Sequence, residues 1–390
     1  MSAAPTDSAV EALDAPSVSR PVAALAFGRW VTNVALRFPL SYLPAIARGA
    51  GLSLGAAGVV LSIQLLAGIP ASWLGGRSDR LGYRNTMVAG LTIVAGGAAV
   101  VALGGAWWFG IGFALIGFGK PLYDLAMISW IGAVVPFERR GRVIGATEFA
   151  WALSLLVGTP VIGLVIDAWS WREAFVVTAV AALVAVVVVR VAVPRAERVS
   201  APSADLGPLP STVLPAMVVL GLASGSHQLV MVAHGIWMEE QLGLSVEGVG
   251  VAVVVLGLGE LLGTAAVTAW ADRLGSRRTA LIGLIALAPL FAALPLAGED
   301  RVIGLGLLTA GVVAFEIGFI ALMVMITELS VERRAEVVGW AGITLTAGRA
   351  VTSVGATTLW AAGGIAAISV AASVLAVAAA FCLAARVASD

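Results

Sequence analysis

Apolar residues run along this chain in long blocks rather than at the period of a half-buried helix or strand. Blocks bounded by charge, proline or glycine fall at 22–46, 54–75, 84–105, 108–135, 142–166 and 172–193. They resume at 212–237, 246–270, 279–297, 302–328, 337–360 and 364–386. Each approaches the ~20 residues that an α-helix needs to cross a hydrocarbon core. Residues 194–211 are the longest polar stretch inside the chain, rich in Pro, Ala and Ser with mixed charge. They predict a cytoplasmic linker between two six-helix halves, 21–193 and 212–388. Residues 1–20 are polar and slightly acidic (Asp7, Glu11, Asp14) and lack the basic start of a cleaved signal, so they predict a disordered cytoplasmic tail.

Composition turns the blocks into membrane spans. Of 390 residues 60% are apolar and 12% charged, against about 45–50% and about 25% in a soluble domain. So large an apolar surplus has to face lipid. The expected fold class is therefore an all-α membrane protein with twelve transmembrane helices. The 23 basic and 23 acidic residues cancel, which gives no field for a nucleic acid. A single cysteine, Cys382, and two histidines, His227 and His234, exclude a disulfide framework and a His- or Cys-built metal centre. No cofactor is expected.

Basic residues set the orientation. With the N-terminus inside, only Arg48, Arg172 and Arg301 fall in outer segments, while the other loop arginines are cytoplasmic. Both termini are then expected inside, in the cytoplasmic (inner) membrane. Trp107, Trp108, Trp169 and Trp171 lie at the outer ends of blocks, where indoles favour the interface.

The chain repeats itself. Asp79-Arg80-Leu81-Gly82-x-Arg84 recurs as Asp272-Arg273-Leu274-Gly275-x-Arg277, and Glu138-Arg139-Arg140-x-x-Val143-x-Gly145 as Glu332-Arg333-Arg334-x-x-Val337-x-Gly339. Gly51-Leu52-Ser53 recurs as Gly243-Leu244-Ser245. Matching loops on the same side mean parallel repeats, a plan that puts a substrate site near the midplane between the halves.

The segment Gly75-x-x-x-Asp79-Arg80-x-Gly82-Tyr83-Arg84 resembles the signature loop of the major facilitator superfamily, and Asp272, Arg273, Gly275 and Arg277 resemble its second copy. The resemblance implies two parallel six-helix bundles, with spans 1, 4, 7 and 10 lining a cavity and 3, 6, 9 and 12 facing lipid. It also implies that these loops latch one conformation. On physical grounds, Gly75 allows close helix approach, Asp79 can accept from an arginine or a helix N-terminus, and Gly82 permits a tight turn. A simple topological anchor is the alternative.

Ionisable groups inside spans are expensive, at least ~2.5–3.5 kcal/mol near the bilayer centre, and mark function. Spans 1, 4, 5, 8, 10 and 11 carry Arg29 and Arg37, Lys120 and Asp124, Glu148, Glu260, Glu316, and Arg349. Lys120, the sole lysine, stands four residues before Asp124 and can pair with it, although Arg37 is another partner for Asp124. With Arg37, Lys120 and Arg349 set against Asp124, Glu148, Glu260 and Glu316, one carboxylate is left over to carry a proton. Glu316 is the first candidate and Glu260 the second. The surplus vanishes if Arg29 turns inward, and Arg349 would hold Glu316 ionised if the two touched. His227 and His234 share one face of span 7 and could relay protons or simply bond a neighbouring helix.

Span 5 contains Gly158-Thr159-Pro160-x-x-Gly163, a degenerate likeness of the bending Gly-Pro motif of antiporters in this superfamily. Span 4 carries Gly117-x-Gly119, similar to part of the drug/proton antiporter motif, with Phe113 where that motif has arginine. Gly119-Lys120 is no phosphate loop, since Ala114 and Pro121 stand where Gly and Ser/Thr are needed. The expected function is thus not enzymatic. It is secondary transport of a small organic solute by alternating access, coupled to protons and directed outward, by a monomer in the bilayer. Uptake of a small organic anion on Arg37, Lys120 and Arg349, or a transport-dead sensor or scaffold, are the alternatives.

Overall fold

The computed structural model describes residues 16–75, 82–195, 210–330 and 333–386, and it is helical throughout. The first bundle contains α1 (Pro16–Ser41), the short α2 (Leu43–Ala50), α3 (Leu54–Gly75), α4 (Tyr83–Ala102), α5 (Ala106–Val134), α6 (Phe137–Leu153), α7 (Thr159–Ala168) and α8 (Trp171–Ala192). The second contains α9 (Val213–Glu240), α10 (Val246–Leu274), α11 (Ser276–Ala292), α12 (Arg301–Glu328) and α13 (Arg334–Arg386). Nine helices among the described residues are long and apolar enough to cross a membrane. One of these, α13, is broken by non-helical backbone at Gly363 and Gly364. Two others fall outside that group: α1 is made polar by Arg29, Asn33 and Arg37, and α11 has 17 residues.

The expected blocks and the observed helices differ where proline and backbone geometry intervene. Helix α1 starts at Pro16, inside the stretch assigned to a disordered tail. A proline costs a helix nothing in its first turn, where its missing N–H had no partner. The first block divides at Tyr42, between Pro39 and Pro44. The fifth divides at a π turn, Ser154–Gly158. Residues 1–15 and most of the expected linker lie outside the described residues.

Lipid-facing positions form apolar stripes at helical spacing. On α8, Val176, Val180, Leu183, Val184, Val187 and Val191 are exposed; on the last part of α13, so are Val370, Val374, Val377 and Phe381. Trp107 and Trp169 are also exposed, as interface residues should be. Trp171 corrects that expectation. It is buried, its ring 5.2 Å from Phe109 and 6.4 Å from Phe175. Its indole occupies the space beside Gly49 where a β-carbon would clash.

The internal repeat is conformational as well as sequential. Gly82 and Gly275 precede α4 and α11 with φ of 76° and 81°, in the region that penalises any L side chain. Thr86 donates to the Gly82 carbonyl at 3.1 Å and Thr279 to the Gly275 carbonyl at 2.9 Å. Arg84 reaches the carbonyls of Arg190 and Val193 at the end of α8, while Arg277 reaches those of Leu383 and Ala384 at the end of α13. A cation on the last carbonyls of a helix satisfies orphan acceptors and complements the dipole. We call the face holding these features basal. The opposite, distal face holds the turns around Gly51 and Gly243.

Candidate functional site

Three polar residues of α1, Arg29, Asn33 and Arg37, stand four apart and are buried, so they form one inward stripe. Arg29 forks onto Glu148 of α6 at 2.7 and 2.9 Å, and its Nε lies 3.8 Å from Asp124 of α5. Lys120 pairs with Asp124 at 2.5 Å. The structure therefore chooses between the two partners of Asp124, because Arg37 is engaged elsewhere. The Glu148 side chain is 52% exposed while Arg29 beneath it is 10% exposed. One edge of this cluster is thus exposed and the rest enclosed.

Arg37 crosses between the bundles. Its guanidinium donates both Nη groups to the Glu260 carboxylate of α10, one at 3.0 Å and the other in a closer contact. It also donates to the Trp151 carbonyl at 3.2 Å and lies over the Trp151 ring, 4.3 Å from its centre. Lys120 stands 5.9 Å from the same ring, so Trp151 separates the two charge clusters. The local backbone makes this possible. Pro160 has no N–H to give, and the Thr159 N–H reaches back to Ser154 in a π turn. This re-aims the stretch that presents Trp151 and Ser154. Gly158 and Gly163 leave room there for Val34 and the Tyr42 ring. Gly117 and Gly119 likewise admit the backbones of α3 and α4, and Phe113 is buried among Phe109 and Phe175.

The second bundle holds a different arrangement. Glu316 of α12 is buried with its Cβ seated beside Gly263. The charges facing it are Glu260, Arg37 and Arg349. No hydrogen bond or ion pair joins Glu316 to Arg349 of α13, whose Nε is buried and unbonded. His227 lies flat on Phe315, centroids 3.8 Å apart and planes 6° apart, and its Nδ1 has no partner. His234 is turned differently: its Nδ1 meets the Met231 carbonyl at 2.6 Å and its Nε2 the Ser41 hydroxyl at 3.2 Å. The two histidines therefore do not form a relay with each other.

Sequence reasoning left Arg29 out of the buried charge count, and the structure corrects this. Arg29, Arg37, Lys120 and Arg349 balance Asp124, Glu148, Glu260 and Glu316, so no carboxylate is left over by number. What remains is a matter of placement, since Glu316 and Arg349 are the members of that set without a bonded partner among the described residues. Spacing could have found Arg29, because it shares the α1 face of Arg37. Trp151 and Asn33 were missed as well, and only Asn33 lay on that readable stripe.

At the distal face the bundles touch. Arg48 pairs with Glu239 at 2.5 Å and Gly235 packs on the backbone of Leu40 and Ser41, and nearer mid-span Ser62 donates to the Ala350 carbonyl at 2.7 Å. Of the expected latch, Asp79 and Arg80 lie outside the described residues, as do the surroundings of Gly75 and the side chain of Asp272. Gly82, Arg84, Gly275 and Arg277 take the capping and clamping positions above, and Arg273 is exposed at the end of α10.

Two helical bundles meeting around buried charge, with apolar stripes outside, define a multi-pass membrane protein with a polar interior. The sequence matches the Major Facilitator Superfamily over residues 24–221 and again over 216–389, and the chain belongs to that superfamily of transporters. Two relatives come from Bacillus subtilis (strain 168). The uncharacterized MFS-type transporter YwfA is 29% identical over 98 residues, 25% of this chain and 24% of that protein. The uncharacterized MFS-type transporter YceJ is 25% identical over 160 residues, 39% of this chain and 40% of that one. Each match thus spans well under half of the relative. Among solved structures, a D-xylose-proton symporter superposes with a TM-score of 0.77 at 17% identity, covering 95% of this chain and 98% of that one. An inward-facing, occupied bacterial homologue of the human lysosomal transporter Spinster gives 0.70 at 14%, covering 96% of each. At these identities the likeness is one of fold.

Proposed function

We propose that the chain is a secondary transporter that moves a small organic solute by alternating access, with protons as the coupling ion and export as the direction. In this reading twelve spans cross the cytoplasmic membrane, the α13 break separates the last two, and both ends lie on the basal, cytoplasmic side. The observation that carries it is one-sided closure around charge. Arg48–Glu239 and Ser41–His234 tie the bundles together toward the distal face and Ser62–Ala350 nearer mid-span, while Glu148, on the basal side of these ties, keeps a half-exposed carboxylate. A cleft sealed at one end is one of the two states that alternating access requires.

Proton coupling is assigned to Glu316, the buried carboxylate without a bonded partner. The export direction rests on the likeness of Gly158-Thr159-Pro160 to the antiporter motif and on the π turn there. Anion uptake on Arg37, Lys120 and Arg349 is disfavoured, because the first two already hold Glu260 and Asp124. The test is solute flux in proteoliposomes with and without an imposed pH gradient. Flux that follows the gradient supports the reading. Flux indifferent to it removes proton coupling, and no flux over a broad solute panel favours a sensor or scaffold.

A further inference from the structure

Every other pair of opposite charges in the cleft has closed, whereas Glu316 and Arg349 have not. Both are held in place by packing that leaves little room for drift. The Glu316 Cβ rests where a β-carbon on Gly263 would stand, and Gly348, next to Arg349, is pressed on the Gly221 backbone. Glu316 is 9% exposed, and the Arg349 Nε is buried without a partner. Leaving a buried donor such as this Nε unmade is costly, and opposite charges attract strongly where the dielectric is low; Glu316 is buried and Arg349 half-buried. An arrangement that keeps them apart and unbonded is one prepared for something that bonds both. The wall beside them is aromatic: His227 stacks on Phe315, and Phe315 on Phe319 at 5.3 Å.

From this geometry we infer that the space between Glu316 and Arg349 is a site for a zwitterionic solute, an amino acid or close analogue with an apolar or aromatic body. Its ammonium group meets the Glu316 carboxylate, its carboxylate meets the Arg349 guanidinium, and its body lies against the half-buried Phe319, the outer ring of the stack. Arg37 and Glu260 are already matched to each other, so a molecule carrying only one charge leaves either Glu316 or Arg349 unmatched. This inference rests on the reading that the cleft is a solute path, and it names the class of solute. It also gives Glu316 two exclusive occupants, the ammonium group or a proton, which is how exchange of one for the other is enforced.

The test uses the purified full chain in detergent at pH 7. The natural L-amino acids and glycine betaine are titrated by calorimetry and thermal shift. The best binder is then compared with the amine lacking its carboxylate and the acid lacking its ammonium group. At least one zwitterion is expected to bind, and both truncated analogues to bind about tenfold more weakly or worse. Arg349→Gln is expected to abolish the preference for the zwitterion over the amine, and Glu316→Gln the preference over the acid. An acid or amine that binds the unaltered protein as tightly as the zwitterion overturns the inference, as does a panel in which no zwitterion binds. Because the analogue comparison needs no variant, a poorly folding substitution does not blunt it. Binding without flux keeps the site and removes transport. Gradient-driven flux of a singly charged solute keeps transport and removes the site.

Discussion

Arg37 of the first bundle and Glu260 of the second form a buried, two-point ion pair across the centre of the molecule. Both side chains are almost wholly enclosed, at 9% and 5% exposure. Removing one leaves the other charged and unmatched, which typically costs about 3–5 kcal/mol, whereas removing both is far milder. Arg37→Met and Glu260→Gln are each expected to lower the unfolding temperature in detergent by much more than the double variant does. A double-mutant cycle by thermal denaturation checks this. Additive losses would mean that the pair contributes nothing as a pair.

Glu316→Gln keeps the shape of the side chain and removes its ability to carry a proton. The groups that face it are Glu260, Arg37 and Arg349, with His227 on the neighbouring Phe315. The first two are tied to each other. The variant is therefore expected to transport at a rate that no longer varies with pH. Rates measured across pH 5.5–8.5 as in the parent would move the coupling role to Glu148, the half-exposed carboxylate under Arg29.

Much of the fold was written in the sequence, because membrane spans and repeats depend on residue type along the chain. Gly82 and Gly275 are the clearest case. Each sits at a left-handed turn that a side chain would strain, so the same residue recurs at the same place in both halves. The ion pairs were less readable. Which carboxylate takes which cation depends on how each helix is rotated about its own axis, and a π turn at Ser154–Gly158 changes that rotation midway through a span. Asp124 had two candidate bases in the sequence, and in the structure it takes Lys120, with Arg29 3.8 Å away, while Arg37 pairs with Glu260. Arg29 was legible in part: its four-residue spacing to Asn33 and Arg37 marks an inward face.

Gly82→Ala and Gly275→Ala isolate backbone strain from crowding. Among the described residues no atom lies within 4 Å of a β-carbon built at either position, yet φ is 76° and 81°. A β-carbon there is expected to cost roughly 1–2 kcal/mol. Because the two turns match, the two variants are expected to lower the unfolding temperature by similar amounts. Gly90→Ala is the contrast, with ordinary φ but a β-carbon pressed against the Gly119 carbonyl and the Tyr123 backbone. Its loss should be relieved by nothing short of moving α4 away from α5. Equal tolerance of all three alanines would refute the distinction.

Arg48 and Glu239 meet at 2.5 Å on the distal face, with the Arg48 side chain 60% exposed. An exposed pair of this kind contributes up to about 1 kcal/mol, too little to decide whether the protein folds. It is enough to bias an equilibrium between two cleft states, since 1 kcal/mol is a factor of about five in population. Arg48→Ala is therefore expected to leave the unfolding temperature nearly unchanged while raising the share of molecules open at the distal face by about two- to fivefold. Spin labels on cysteines introduced at Ser53 and Glu247, exposed positions on the two bundles, report the opening as a longer distance once Cys382 is replaced by serine. If the distance distribution of Arg48→Ala superposes on that of the parent, the closed distal face is held by packing such as Gly235 on Ser41, and the ion pair adds no bias.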